Sequence, residues 1–188
     1  MNKKPVKTYR LLGIDPGTNV LGYAVIEVRG KKISVVDMGT VTMRSYLSHQ
    51  QKLKIILERL LGIIDNYKPQ EMAIEAPFFG KNVQAMLKLG RAQGVAIAAA
   101  MTKNLEVTEY SPKKIKQAVT GNGNAAKEQV AAMLEQLLNI KLSEQPLDST
   151  DALATAMCHY YQSTSLLGGR KKYNDWSSFI KDNPNKIK

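Results

Sequence analysis

A single cysteine, Cys158, is the only thiol in this chain of 188 residues, so no disulfide forms within it and the composition suits a reducing compartment. The only histidines are His49 and His159. Two imidazoles and one thiol argue against a zinc site, so any metal here is expected on oxygen ligands, which favours magnesium or manganese. Long apolar runs are missing too. The longest, residues 95–101, stops far short of the roughly 20 residues that a bilayer-spanning helix requires. The basic lead-in over residues 1–10 runs into only a short apolar stretch, which is not a signal peptide. The expectation is a cytoplasmic protein with no membrane partner. Acidic residues are the other scarcity: 16 Asp and Glu against 27 Lys and Arg, a formal charge of +11. A balance this basic points to an acidic partner, nucleic acid first, although charge alone also serves solubility.

What is present reads as one α/β domain with a full-sized core. An apolar run over residues 9–15 ends in Asp15, turns at Pro16-Gly17, and resumes over residues 21–28. A charged turn at residues 29–32 leads to a third run over 33–42. Short turns between these runs predict an antiparallel meander. The period then changes. Leu53, Ile56, Leu57, Leu60, Leu61 and Ile64 recur at helical spacing until Pro69. Residues 71–76 predict a buried fourth strand with Glu75 at its carboxyl end, and residues 105–110 a fifth. Helices between strands imply parallel crossovers, so the predicted sheet is mixed and five-stranded, three strands antiparallel and two parallel.

Between the last two strands, residues 82–101 form a helix whose repeat includes Val83, Leu87, Gly90, Gly94, Ala98 and Met101. Glycine inside a helix costs about 1 kcal/mol against alanine. A closely packed neighbour is the expected compensation, either the chain's own sheet or a second subunit. Ser111-Pro112 opens a further helix as cap and first residue. Another helix spans 125–138, with Lys127 in its first turn. A cation there opposes the helix dipole, a mild argument that Lys127 meets a phosphate. The last helix is expected over 148–162. Residues 1–164 form the predicted domain, and 165–188 a basic tail, expected to be a mobile extension with a short helix near Trp176. That tail has six basic residues against two acidic, +4 of the total +11, which leaves the body at +7.

With so few carboxylates, their placement carries weight. Asp15 ends the first strand, Glu75 ends the fourth, and Asp148 and Asp151 open the last helix on one face. Each has an ordinary reading as well. Asp15 can start a turn through its own backbone, Glu75 can pair with a lysine, and Asp148 with Asp151 can be an N-cap and its capping-box partner. Taken together on a basic chain, the four suggest another use. Four ionised carboxylates do not share a small volume without divalent cations. Two such ions can hold the attacking water and the leaving oxygen of a phosphoryl displacement. That combination reads as a nuclease.

Several segments taken together resemble a known family. They are Gly13-Ile14-Asp15-Pro16-Gly17-Thr18 with Gly22-Tyr23, then Ala73-Ile74-Glu75 with Phe78 and Lys81-Asn82. Residues 87–94 (Leu-Lys-Leu-Gly-Arg-Ala-Gln-Gly), residues 116–121 (Lys-Gln-Ala-Val-Thr-Gly) and Asp148 with Asp151-Ala152-Leu153-Ala154 follow in order. Over residues 9–163 this resembles the RuvC family of Holliday-junction resolvases. The resemblance implies an RNase H-like fold, a homodimer, and two-metal hydrolysis with Mg2+, for which Mn2+ substitutes. It makes Asp15, Glu75, Asp148 and Asp151 the catalytic and metal-binding tetrad. It makes Phe78 similar to an aromatic that stacks on bases at the open crossover, with adjacent Phe79 an equal candidate. Lys81, Lys116 and Lys127 join the DNA-binding set. It also implies symmetric nicking of two like-polarity strands of a four-way junction, in recombination and repair, alongside the RuvA and RuvB branch-migration proteins.

Other readings compete. Asp15-Pro16-Gly17-Thr18 resembles the phosphate hairpin of actin-like kinases, but no second hairpin or adenosine site is visible. A binding protein on the same fold has no use for four carboxylates. A nuclease for other branched or single-stranded DNA shares the same chemistry and is the hardest to separate from a resolvase.

Overall fold

The computed structural model describes residues 8–77 and 82–167, the last three by backbone alone. In chain order the elements are β1 (Thr8–Asp15), β2 (Val20–Arg29), β3 (Lys32–Thr42), α1 (His49–Tyr67), β4 (Glu71–Glu75), α2 (Val83–Thr102), β5 (Glu106–Tyr110), α3 (Pro112–Thr120), α4 (Lys127–Leu138) and α5 (Leu147–Leu167). The sheet runs β3-β2-β1-β4-β5. Its first three strands are antiparallel, and β4 and β5 continue parallel to β1. This is the mixed five-stranded sheet that the sequence predicts. The hairpin from β2 to β3 closes at Gly30, whose φ of 64° lies in the left-handed region. The parallel strands are reached through α1 and α2, since a tight turn cannot return a strand parallel to its predecessor.

Strand alternation builds two cores. Leu12, Ile14, Met72 and Ile74 point to one face, where α1 and α2 cover them with Ile56, Leu60, Ala96 and Ala99. Leu11 and Ala73 point to the other, beneath α5 with Leu153, Ala156 and Met157. Residues in step with Leu11 and Ala73 therefore share the α5 face, and these include Gly13, Asp15, Glu71 and Glu75. The strand-end carboxylates Asp15 and Glu75 both stand on that parity.

Several boundaries and faces differ from expectation. Helix α5 runs to Leu167, past the expected end at Gln162 and across the boundary drawn at residue 164. Nothing interrupts it there. The hydroxyls of Ser163 and Thr164 both donate back to the Tyr160 carbonyl, so neither competes as a breaker. The rest of the expected tail, with Trp176, lies outside the described residues. On α2 the glycine-bearing stripe is not the core face. Ala92, Gln93, Ala96, Ala99 and Ala100 are buried against the sheet, whereas Val83, Leu87 and Met101 are exposed. A Cβ added at Gly90 or Gly94 would meet nothing within 4 Å. The alanine stripe packs on the sheet, and the glycine stripe faces outward. No helix among the described residues is long and apolar enough to cross a membrane.

Candidate active site

Strand register brings the first two carboxylates together. Ile14 pairs with Ile74 across the parallel β1–β4 ladder, so Asp15 and Glu75 lie one step further on neighbouring strands. Such strands run about 4.8 Å apart. Both side chains share the α5 face by parity. The end of β4 is held beyond Glu75 as well. The Ala76 N–H donates to the Tyr110 carbonyl at 2.8 Å, and buried Gln93 on α2 donates to Glu109 at 2.7 Å beneath it.

The third and fourth carboxylates come from α5, and two glycines decide how closely that helix lies. A Cβ at Gly22, the register partner of Asp15, would sit 1.9 Å from the carbonyl oxygen of Asp148. A Cβ at Gly13 would sit 2.1 Å from the carbonyl oxygen of Ala152. Real Cβ atoms do not approach that closely, so the helix backbone rests directly on sheet backbone at these two places. Sequence reasoning did not assign this role to Gly13 and Gly22. The available signal was a glycine on the same parity as a strand-end carboxylate.

Asp148 is not the N-cap of α5. Leu147 is the first helical residue and Asp148 stands inside the first turn. The Pro146 carbonyl accepts from the Ser149 and Thr150 amides at 3.1 and 3.3 Å and from the Ser149 hydroxyl at 2.7 Å. Asp148 is thereby left out of the capping, and the capping-box reading of Asp148 and Asp151 loses its geometry.

The electrostatics match four crowded acids. Burial, then the negative charges of Glu75, Asp151 and Asp148, push Asp15 up to about 8, with Lys127 pulling the other way. Burial and Asp151 push Glu75 up to about 7 against Lys127 and Lys116. Both groups hold protons at pH values where an ordinary carboxylate is ionised. A cleft of about 190 Å3 opens here, lined by Glu75 and Asp151 and by Lys116 of α3 and Lys127 of α4. Lys127 Nζ donates to Asp151 Oδ2, and this bond and the surrounding acids hold the lysine's pKa above its usual value. The cation expected to meet a phosphate thus meets a carboxylate.

Among the described residues, no three His, Cys, Asp or Glu side chains already converge as a metal cage. Asp151 is instead turned onto Lys127. The donor chemistry nevertheless fits hard divalent cations. The site supplies only carboxylate oxygens, and the repulsion that raises Asp15 and Glu75 is what a divalent ion relieves. Phe78, Phe79 and Lys81 lie outside the described residues. A second basic flank was not foreseen. His49, at the start of α1, has its pKa lowered by burial and then by the charges of Arg91, Lys88 and Lys52. Lys52 Nζ also donates to Asn19 Oδ1, in the turn after Asp15, at 2.6 Å.

Comparison with known proteins places these features in context. The family model described as crossover junction endodeoxyribonuclease RuvC matches residues 11–159. The chain is 54% identical over 187 residues to the protein of that name from Christiangramia forsetii, covering 99% of this chain and 97% of the relative. It is 51% identical to that from Bacteroides fragilis, covering 98% and 99%. Among solved structures, T. thermophilus RuvC in complex with Holliday junction substrate superposes with a TM-score of 0.78 at 32% identity, covering 84% of this chain and 96% of that one.

Proposed function

The chain belongs to the RuvC family of crossover junction endodeoxyribonucleases, and from that membership we propose that it resolves Holliday junctions by paired hydrolysis of two strands of like polarity. The observation that carries the reading is the seating of the first turn of α5 on Gly22, beside the Asp15–Glu75 pair. It brings the α5 aspartates near the strand-end pair, beside a cleft lined by Glu75, Asp151, Lys116 and Lys127.

In this reading Asp15, Glu75, Asp148 and Asp151 hold two Mg2+ ions, which Mn2+ can replace. When bound, the ions activate the attacking water and neutralise charge on the leaving oxygen. The chain's own residues do the rest. Asp15 and Glu75, raised by burial and by neighbouring carboxylates, give up their protons as the site fills. Lys127 and Lys116 on the cleft wall neutralise the phosphate that enters, and Lys127 exchanges Asp151 for that phosphate. Gly13 and Gly22 let the aspartates reach the strand ends.

A junction resolved cleanly needs two cuts related by a two-fold axis, which a homodimer supplies. The outward stripe of α2 supports this assembly. Val83, Leu87 and Met101 are 61%, 50% and 63% exposed, and Gly90 and Gly94 between them leave room for a second backbone. RuvA and RuvB are the proposed partners, and the cytoplasm the proposed location.

The test is cleavage of a mobile synthetic four-way junction with labelled strands, in Mg2+ and in EDTA, beside Asp15→Asn. Symmetric nicks that need both Mg2+ and Asp15 are expected. Tight binding with no cleavage in any divalent metal would leave a binding module. Asymmetric cutting would keep the nuclease and discard the dimeric resolvase.

A further inference from the structure

Further along from the aspartates, α5 makes a second polar attachment to the sheet. His159 is buried, its side chain 8% exposed, and both ring nitrogens are engaged. Nδ1 lies 2.9 Å from the Tyr110 hydroxyl, and Nε2 lies 2.6 Å from Glu71 Oε2. The Tyr110 and His159 rings also meet edge to face at 5.8 Å, and Lys114 Nζ stands 5.1 Å from the centre of the tyrosine ring. Burial pushes the Tyr110 phenol up to about 12, so it keeps its proton at neutral pH. A carboxylate at Glu71 only accepts, so a neutral imidazole carries its proton on Nε2 and leaves Nδ1 to accept. Tyr110 O–H donates to Nδ1, and Nε2–H donates to the Glu71 carboxylate.

The three residues come from elements that also carry the site. Glu71 opens β4, four residues before Glu75 on the same parity. Tyr110 ends β5 as the register partner of Glu75. His159 lies eleven residues after Asp148, about three turns and roughly 16 Å along the same side of α5. At the aspartate end, α5 rests on glycine backbone at Gly22 and Gly13. Those contacts set how near the helix lies but supply no directional bond against sliding or rotation about its axis. Hydrogen bonds supply direction where van der Waals contact does not.

We propose that the Tyr110–His159–Glu71 clamp is a positioning device, with His159 its central residue, that sets the slide and rotation of α5 and so the placement of Asp148 and Asp151 against Asp15 and Glu75. This rests on the reading of those four as the metal-binding set. None of the three clamp residues touches substrate. They act through the helix, so their loss weakens metal binding and the chemical step and leaves junction recognition in place.

The full chain is tested well below its unfolding temperature as wild type, Tyr110→Phe, His159→Phe, His159→Gln and Asp15→Asn. Three quantities are read: binding of Mn2+ alone by paramagnetic resonance titration, junction affinity in EDTA, and single-turnover cleavage in Mg2+ at saturating protein. Tyr110→Phe and His159→Phe are expected to weaken Mn2+ binding and slow cleavage by about ten-fold each, the low end for groups behind metal ligands, with junction affinity within about two-fold. His159→Gln, which keeps an N–H for Glu71, recovers part of both. Should His159→Phe fail to fold, Tyr110→Phe removes one oxygen atom and carries the test. Mn2+ binding and cleavage unchanged in Tyr110→Phe, or cleavage falling only in step with junction affinity, overturns the clamp. Wild-type cleavage by Asp15→Asn would overturn the carboxylate reading instead, whatever the clamp variants do.

Discussion

The two faces of one sheet are built from the same strands by alternate residues, and they have opposite characters. Toward α1 and α2, β1 and β4 present Leu12, Ile14, Met72 and Ile74, each fully buried among aliphatic partners. Toward α5 the alternate positions are Leu11, Gly13, Asp15, Glu71, Ala73 and Glu75. One parity buries volume. The other buries Leu11 beneath α5 but thins to glycine and alanine toward the site and is charged at the strand ends. The first face stabilises the fold at roughly 1.5–3 kcal/mol per large side chain buried. The second keeps a core beneath α5 but adds repulsion among acids at the strand ends, beside a cleft lined by Glu75 and Asp151.

The sharpest way to break that contrast is to remove the charge from the second face. Asp15→Asn is expected to lower cleavage by roughly 10^3-fold or more, since losing a metal ligand of the proposed set forfeits several kcal/mol of transition-state stabilisation. The same variant is expected to stabilise the metal-free protein. Asp15 ionises near 3.8 in an unfolded chain and near 8 when folded. The folded state thus binds more protons between those values, and stability contributed by this group falls as pH rises through that window. Melting in EDTA at pH 5 and pH 8.5 reads this directly. Wild type should lose stability toward pH 8.5 more steeply than Asp15→Asn, with the variant melting several degrees higher at the alkaline end. Parallel pH profiles for the two proteins would mean that Asp15 carries no such burden.

Next in size are substitutions that thicken one face or thin the other. Gly22→Ala drives a Cβ to 1.9 Å from the Asp148 carbonyl oxygen, where backbone must move. Ile74→Ala empties a fully buried site on the opposite face. Ile74→Ala is expected to cost about 2–5 kcal/mol, as large-to-small core changes do. Its surviving folded molecules should cleave at close to the wild-type rate. Gly22→Ala should instead lose cleavage out of proportion to its loss of stability, because the displaced element is the one bearing Asp148 and Asp151. Denaturant unfolding beside single-turnover cleavage separates the two. Equal ratios of activity loss to stability loss would erase the distinction between the faces.

How much of this was legible in the sequence follows from the range of each signal. Alternation and helical period are local, so the strands, the mixed sheet and the strand-end positions of Asp15 and Glu75 were readable from short windows. The i, i+3 spacing of Asp148 and Asp151 was readable for the same reason. The competing capping reading failed on a two-residue shift of the cap, because Pro146 supplies the carbonyl that the first turn uses. Periodicity located the face of α2 that holds Gly90 and Gly94 but not its direction, because alanines on the adjacent face are just as small and those are the ones that pack. Lys127 was singled out for opposing a helix dipole, yet its partner Asp151 is 24 residues away and no local rule finds it. Glu71, Tyr110 and His159 are separated further still. A hydrogen-bonded set drawn from two strands and a helix leaves no periodic trace.

The smallest expected change in the isolated subunit is on the outward stripe of α2, and that makes it the cleanest test of what covers the stripe. A Cβ added at Gly94 meets nothing within 4 Å in the single chain. Replacing glycine by a good helix former inside a helix gains up to about 1 kcal/mol. The subunit alone should therefore be no less stable, and its active-site face is untouched. If a second copy packs backbone-close against Gly90 and Gly94, the same leucine blocks that approach. Sedimentation should then report a monomer where wild type is a dimer, and junction products should shift from paired nicks to single ones. An intact Gly94→Leu dimer would place the two-fold axis on another surface. The separation of the two effects gives the experiment its force. A core position that lost its dimer would also lose its fold, whereas an outward glycine can lose one and keep the other.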